Sequence, residues 1–185
     1  MKRLIHNFIK HFGSLILLVI CASVSAHAQN ARIQLDALDR LADKASDTID
    51  VTIDENHLKL ASKFLSDKKI DEKKVKEIVS ALKGVYVKSF KFETAGEYTK
   101  EDLDAIRSQL SAPGWSHMVG VRSRRNENID VYLMSDADNI IGITVIAADR
   151  RQLTVVNVVG PIDLEKLAEL HNHFGIPDFD FDIKP

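Results

Sequence analysis

From His117 to Gly160 the chain runs as strand and turn without a break, and this stretch constrains the fold more than any other. Its segments His117 to Arg125, Ile129 to Ser135, Ile140 to Ala148 and Gln152 to Val159 are rich in β-branched and aromatic residues. The turns between them are too short for crossover connections, so consecutive strands should pair antiparallel. Ile140-Ile141-Gly142-Ile143-Thr144-Val145-Ile146 is apolar at nearly every position, which marks a central strand covered on both faces with more one-sided strands beside it. Asn126-Glu127-Asn128 suits a three-residue hairpin loop with Asn128 left-handed. That loop sets Arg124 opposite Asp130, Arg122 opposite Tyr132 and Val121 opposite Leu133.

Upstream, helical and strand periods alternate. Leu35, Leu38, Leu41, Ala42 and Ala45 predict an amphipathic helix over residues 33–46, and Asp50 to Asp54 a short strand. Leu58, Ala61 and Leu65, with Leu60 and Phe64 beside them, mark a second helix. Val75, Ile78, Val79 and Leu82 mark a third behind an N-cap at Asp71. Gly84 ends it, and Val85 to Glu93 form a strand with Tyr86, Phe90 and Phe92 on one face and Lys88 among them. Thr99 can cap a further helix, with Asp102 at its third position, a buried stripe of Leu103, Ile106 and Leu110, and Pro113-Gly114 as its stop. Trp115 follows as a plug at a strand entrance. Asp163 is a good N-cap for a last helix, Ile162 can staple onto Leu167, and Gly175 and Pro177 close it. The expectation is an α+β fold: a largely antiparallel five-stranded sheet with amphipathic helices packed on at least one face.

The N-terminal residues 1–28 read as a secretory signal peptide. Lys2, Arg3 and Lys10 give a positive start, Leu15 to Val24 an apolar run, and Ala26-His27-Ala28 a small-residue cleavage site before Gln29. The run is shorter than the roughly 18 residues of a membrane-spanning helix, so no integral span is expected after cleavage. Cys21 would be the acylated residue of a lipoprotein, but Ile20 is bulky where a small residue belongs, and a soluble periplasmic or secreted product is the reading. Cleavage removes three basic residues and no acid, leaving 22 Lys and Arg of 25 against 27 Asp and Glu. The mature chain, residues 29–185, is then acidic and free of cysteine, which excludes disulfides, thiolate metal sites and a cysteine nucleophile. It is long enough to bury a core as one domain.

Lys83-Gly84-Val85-Tyr86-Val87-Lys88-Ser89-Phe90, Ala112-Pro113-Gly114-Trp115, Val119-Gly120-Val121-Arg122-Ser123 and the stretch Thr154 to Leu164 together resemble the bacterial family DUF4252, a domain of unknown function. The likeness covers most of residues 33–176. It implies a small exported or envelope-attached bacterial protein with no established activity, and it brings no catalytic or ligand-binding residue with it. Some relatives look like lipoproteins, from which this sequence departs at Ile20.

Candidate chemistry is sparse, and each motif has a structural counter-reading. The mature histidines are His57, His117, His171 and His173. His171 and His173 are weak candidates for a metal, since two residues apart on a helix they point in different directions; Asp178, Asp180 and Asp182 could add oxygen ligands. As structure they suit a helix C-terminus followed by a frayed end. Trp115-Ser116-His117 sets a serine beside a histidine in sequence only, no Gly-x-Ser-x-Gly is present, and no phosphate-cradling loop can be assembled. No cofactor is implied.

Arg122, Arg124 and Arg125, with Arg150 and Arg151, are the densest positive charge. Arg122, Arg124 and Tyr132 share a predicted sheet face that could hold an anionic small molecule, a phospholipid head group or an acidic protein tail. The plainer reading is a solvated face whose Arg124–Asp130 pair contributes under about 1 kcal/mol. The acidic total and the export signal disfavour nucleic acid. The reading is an exported, non-catalytic binding or interaction module of the cell envelope. Two alternatives stay open: an exported hydrolase using carboxylates or His117, and a regulatory partner in envelope-stress signalling.

Overall fold

The computed structural model describes residues 31–65, 70–123 and 128–163. Its centre is an antiparallel sheet of β1 (Asp47–Asp54), β2 (Gly84–Lys91), β3 (Trp115–Arg122), β4 (Asn128–Asp136), β5 (Asn139–Ala148) and β6 (Gln152–Ile162), in the order β1-β2-β6-β5-β4-β3. The sheet therefore has six strands where five are expected. The Asp50 segment reaches back to Asp47 and pairs along the whole of β2. Its alternating Asp and Thr residues suit an edge, where charge discourages further pairing. The four consecutive strands form a meander, as their short turns require, and β6 closes onto β2.

The helix expected over residues 33–46 is a 3-10 helix, Asp36–Lys44. Leu35, Leu38 and Leu41 are spaced strictly by three, the period that stacks side chains on one edge of a 3-10 helix, and all three are buried. Next come α1 (Glu55–Ser62), capped by Asp54, which accepts from the His57 backbone N–H at 3.0 Å, and α2 (Ile70–Ala81). Asp71 thus lies inside the first turn of α2 rather than at its cap. In α3 (Lys100–Arg107) the Asp102 carboxylate reaches back to accept from the Thr99 N–H at 2.7 Å, as the capping pattern predicts. Its other oxygen meets Arg40 Nη2 at 2.5 Å as an ion pair, fastening the 3-10 helix to α3.

Side chains alternate between two unlike faces. On one, Phe90, Phe92, Leu153, Val155 and Ile146 pack under Leu38, Leu41, Ile106 and Leu110, and Trp115 lies half-buried against this core. Lys88 belongs to the same face. Its ammonium pairs with Asp39 on the 3-10 helix and, at 2.7 Å, with Asp50 on β1. Burial pulls the Lys88 pKa down, but the hydrogen bonds it donates to both carboxylates outweigh it and the pKa is raised.

The core face also holds Asn157, wholly buried in the middle of β6. Its Oδ1 accepts from the Ile33 N–H at 3.2 Å, while Nδ2 donates to Ala31 O at 3.0 Å and Thr144 Oγ1 at 3.1 Å. Residues Ala31 to Ile33 are thereby laid across β5 and β6. The approach is close enough that a Cβ on Gly142 would stand 2.7 Å from Ala31 Cβ. That contact explains the glycine in an otherwise continuous β-branched run.

The opposite face consists of Val85 and Val87 from β2, Val156 and Val158 from β6, Ile143 and Val145 from β5, and their neighbours on β4 and β3. These are half-buried or exposed throughout. β5 is interior, as its composition predicts, but among the described residues only its core face is fully covered. β6 runs to Ile162, so Pro161 and Ile162 extend the strand instead of opening a helix. The remainder of the expected last helix lies outside the described residues.

Candidate functional site

Four titratable side chains meet at the β3–β4 hairpin, whose register differs from the expected one. Arg122 pairs with Asn128, Val121 with Ile129 and Gly120 with Asp130, so five residues of sequence separate the paired ends instead of three. Asn128 is an ordinary strand residue, not a left-handed one. Arg124 lies outside the described residues, and Gly120 stands opposite Asp130 where Arg124 was expected. The change in partner is an even number of residues, so every side chain keeps its face, and Arg122 and Tyr132 do share one.

A β-bulge between His117 and Val119 then does what the sequence pattern does not reveal. Without the extra residue, His117 would point to the open face. With it, His117 turns onto the core side, opposite Tyr132, and the two rings lie 4.7 Å apart between centroids. Met118, the residue at the irregularity, is left 59% exposed.

Asp130, 2% exposed, is the focus of the group. Oδ1 accepts from Arg122 Nη2 at 2.5 Å and from His117 Nε2 at 3.0 Å, and Oδ2 accepts from Arg107 Nη2 of α3 at 2.9 Å. Gly120 makes the arrangement possible: a Cβ there would meet His117 Cε1 at 3.0 Å. Burial pushes the Asp130 pKa up, but the hydrogen bonds from Arg122, Arg107 and His117 prevail, and the carboxyl is held below its ordinary range. Arg122 also gives Nη1 to the carbonyls of Val121 at 2.9 Å and Ile129 at 3.3 Å, so its guanidinium is turned into the hairpin.

Chemically this is a clamp joining α3, β3 and β4. A carboxylate kept ionised by three donors is a poor proton acceptor. Asp130 and His117 form a carboxylate–imidazole pair of the kind that supports a nucleophile. Ser116, however, pairs with Leu133 on the alternate side of the sheet, so strand alternation sends its hydroxyl to the other face. Sequence reading missed Arg107 and the central place of Asp130. The available signal was an acid at a core-facing position between Ile129 and Val131, on the side of Tyr132 and Met134.

His171, His173, Ala28 and Gln29 lie outside the described residues. Among the described residues no three His, Cys, Asp or Glu side chains could hold a metal ion, and no helix is long and apolar enough to cross a membrane. On the open face a groove of ≈ 720 Å³ lies between α2 and the sheet. Ile78 and Ala81 form its wall, Val85, Ile143 and Val158 its floor, and Ile162 lies at its end.

The model of the domain of unknown function DUF4252 matches residues 43–170, well over half of the chain. The chain belongs to the DUF4252 family. No curated protein matches it. The DUF4252 match takes in all six strands, the Asp130 clamp and the groove, and it continues to residue 170, beyond the end of β6.

Proposed function

We propose that this DUF4252 protein is an exported, non-catalytic interaction module of the cell envelope, with residues 1–28 a cleaved signal peptide and residues 29–185 a single domain. The observation that carries the non-catalytic reading is the closure of the Asp130 group on itself. Both carboxylate oxygens are taken by Arg107, Arg122 and His117, and the neighbouring serine faces away. The export signal, the acidic cysteine-free mature chain and the absence of a recognisable nucleophile motif support the same reading. Its partner is a protein of the envelope.

Photo-reactive side chains placed singly at Val121 on the open face, Asn128 beside the clamp and Lys100 on α3 test the proposal in living cells. The expected result is a discrete adduct of one mass from one of these surfaces and not from the others. Adducts from none, or the same smear from all three, would overturn it.

A second reading has one observation in its favour: two guanidiniums and an imidazole gather on a single carboxylate, leaving an excess of positive charge with Arg122 54% exposed. An anionic group could dock there as a point contact. Titration with inorganic phosphate, with Arg122→Gln as control, decides this reading. Saturable binding lost in the variant supports it, and equal weak binding by both proteins removes it.

A further inference from the structure

We propose that the outer edge of β1 is where two copies of this chain pair, strand against strand, about a two-fold axis at Val51. The sheet has two edges, β1 and β3, and they are built differently. β3 is broken by its bulge at Met118, which twists an edge away from a partner, and the Arg122 guanidinium covers the Val121 carbonyl. β1 keeps one unbroken register with β2 from Asp47 to Asp54. The direction of its main-chain groups follows from the far side of β2. Just past β2, the Phe92 N–H donates to Arg151 O in the β2–β6 register, so even-numbered residues of β2 bond to β6 and odd-numbered ones to β1. The β1 partners of those odd residues are Asp47, Ile49, Val51 and Ile53, which leaves the N–H and C=O of Thr48, Asp50 and Thr52 pointing away from the sheet. Among the described residues no backbone group meets them.

The residues of β1 select the register of a second copy. Antiparallel strands related by a two-fold axis set outward residue against outward residue, and the position of the axis decides which ones meet. An axis at Asp50 sets Asp50 against itself, and one at Thr52 sets it against Asp54, like charges directly opposite. At Ile49 or Ile53 the overlap shortens and Val51 faces Asp47 or Glu55. At Val51 the acids of the paired stretch meet threonines, Asp50 against Thr52 and Asp54 against Thr48, and the Thr52 hydroxyl can donate to the Asp50 carboxylate. The Asp50 charge is already answered within its own chain by Lys88 Nζ at 2.7 Å. On the open face Ile49 meets Ile53 and Val51 meets Val51, so the β-branched stripes of the two copies join and Ile49, 56% exposed, is covered. The acids that turn other strands away from this edge thus admit this one.

The test uses the full chain with Cys21→Ser, so that only introduced thiols react. Val51 and its copy form a pair without mutual hydrogen bonds, about 4.5 Å apart at Cα and within disulfide reach. Val51→Cys should therefore give a disulfide-linked dimer under mild oxidation. Ile49→Cys is the control: it is more exposed and on the same face, but about 14 Å from its own copy, and it should stay monomeric. Adding Thr52→Asp to Val51→Cys sets an acid against Asp50 twice in each dimer and should reduce the crosslink severalfold. Equal crosslinking of the Val51→Cys and Ile49→Cys variants, as chance collision gives, or none at Val51, overturns the proposal. A second readout needs no substitution in β1. Hydrogen exchange at the amides of Thr48, Asp50 and Thr52 should slow as protein concentration rises, while that at Ile49 and Val51, bonded to β2, stays constant. Outward amides that exchange fast at every concentration would show that no second copy pairs there.

Discussion

Asn157 accepts the backbone N–H of Ile33 across 124 residues of sequence, so the first described residues of the domain are fastened to the middle of its last strand. The same side chain donates to Ala31 O, which gives the segment a partner in each direction. In Asn157→Leu both backbone groups stay buried and lose their partners, at about 1–3 kcal/mol for each such group. The expected loss of stability is therefore about 2–6 kcal/mol in urea unfolding, with fast hydrogen exchange at Ile33. A loss under about 1 kcal/mol, with Ile33 still protected, would mean that the segment is held by packing alone.

Gly142 tests the same contact from the other side. The Cβ of Gly142→Ala would stand 2.7 Å from Ala31 Cβ, closer than two carbons can sit, so the segment must lift or the strand must shift. Overpacking of this kind costs about 1–3 kcal/mol. Ala31→Gly removes the opposing atom and should restore most of the loss in the double variant. Strict additivity of the two changes, measured as a thermodynamic cycle, would show that they do not meet.

How far the sequence reveals the fold depends on whether a residue's setting is local. The meander is legible from β-branched runs with short turns, and its faces survive an error of register because an even slip preserves side-chain direction. The 3-10 helix carries its own signal in the three-residue spacing of Leu35, Leu38 and Leu41, which a helical period also tolerates. By contrast, the Asp130 clamp depends on a bulge beside Met118 that no residue type announces, and on Arg107 from a helix that precedes the hairpin. Asn157 is hidden for the same reason. Its partners Ala31 and Ile33 are remote in sequence, so nothing local distinguishes it from a polar residue on a solvated face.

The proposed export fixes where the mature chain begins. Mass spectrometry of the protein recovered from its host should give an N-terminus at Gln29, with no acyl mass, because Cys21 is lost with the leader. Ala28→Arg puts a large charged group where a small one is required, and should leave the precursor unprocessed. An unprocessed wild-type chain, or one beginning at an acylated Cys21, would refute the assignment. The pinned residues also require that cleavage leave Ala31 in place, since a cut beyond it would remove one of the partners of Asn157.

Asp130 sets the acid limit of the fold. Its folded pKa lies below the unfolded value of about 3.9, so the unfolded chain binds the proton more readily there. The stability it contributes is complete above that value and is lost as pH falls through the folded pKa. Asp130→Asn keeps the shape but removes the charge that gathers Arg107, Arg122 and His117. Removing one partner of a buried ion pair usually costs about 3–5 kcal/mol, and the lower end is expected here because Arg122 is half-exposed and can be hydrated. Urea unfolding near neutral pH should therefore show the variant about 3 kcal/mol less stable. Below about pH 4 the difference should narrow, because the unfolded wild-type chain takes up a proton at this carboxyl while the variant has nothing there to titrate. Asp54, Glu55 and Glu101 also have lowered pKa values but are solvent-exposed, so the variant keeps a shallow acid slope of its own. Parallel acid limbs in the two proteins would show that the Asp130 carboxylate does not supply the coupling between pH and folding.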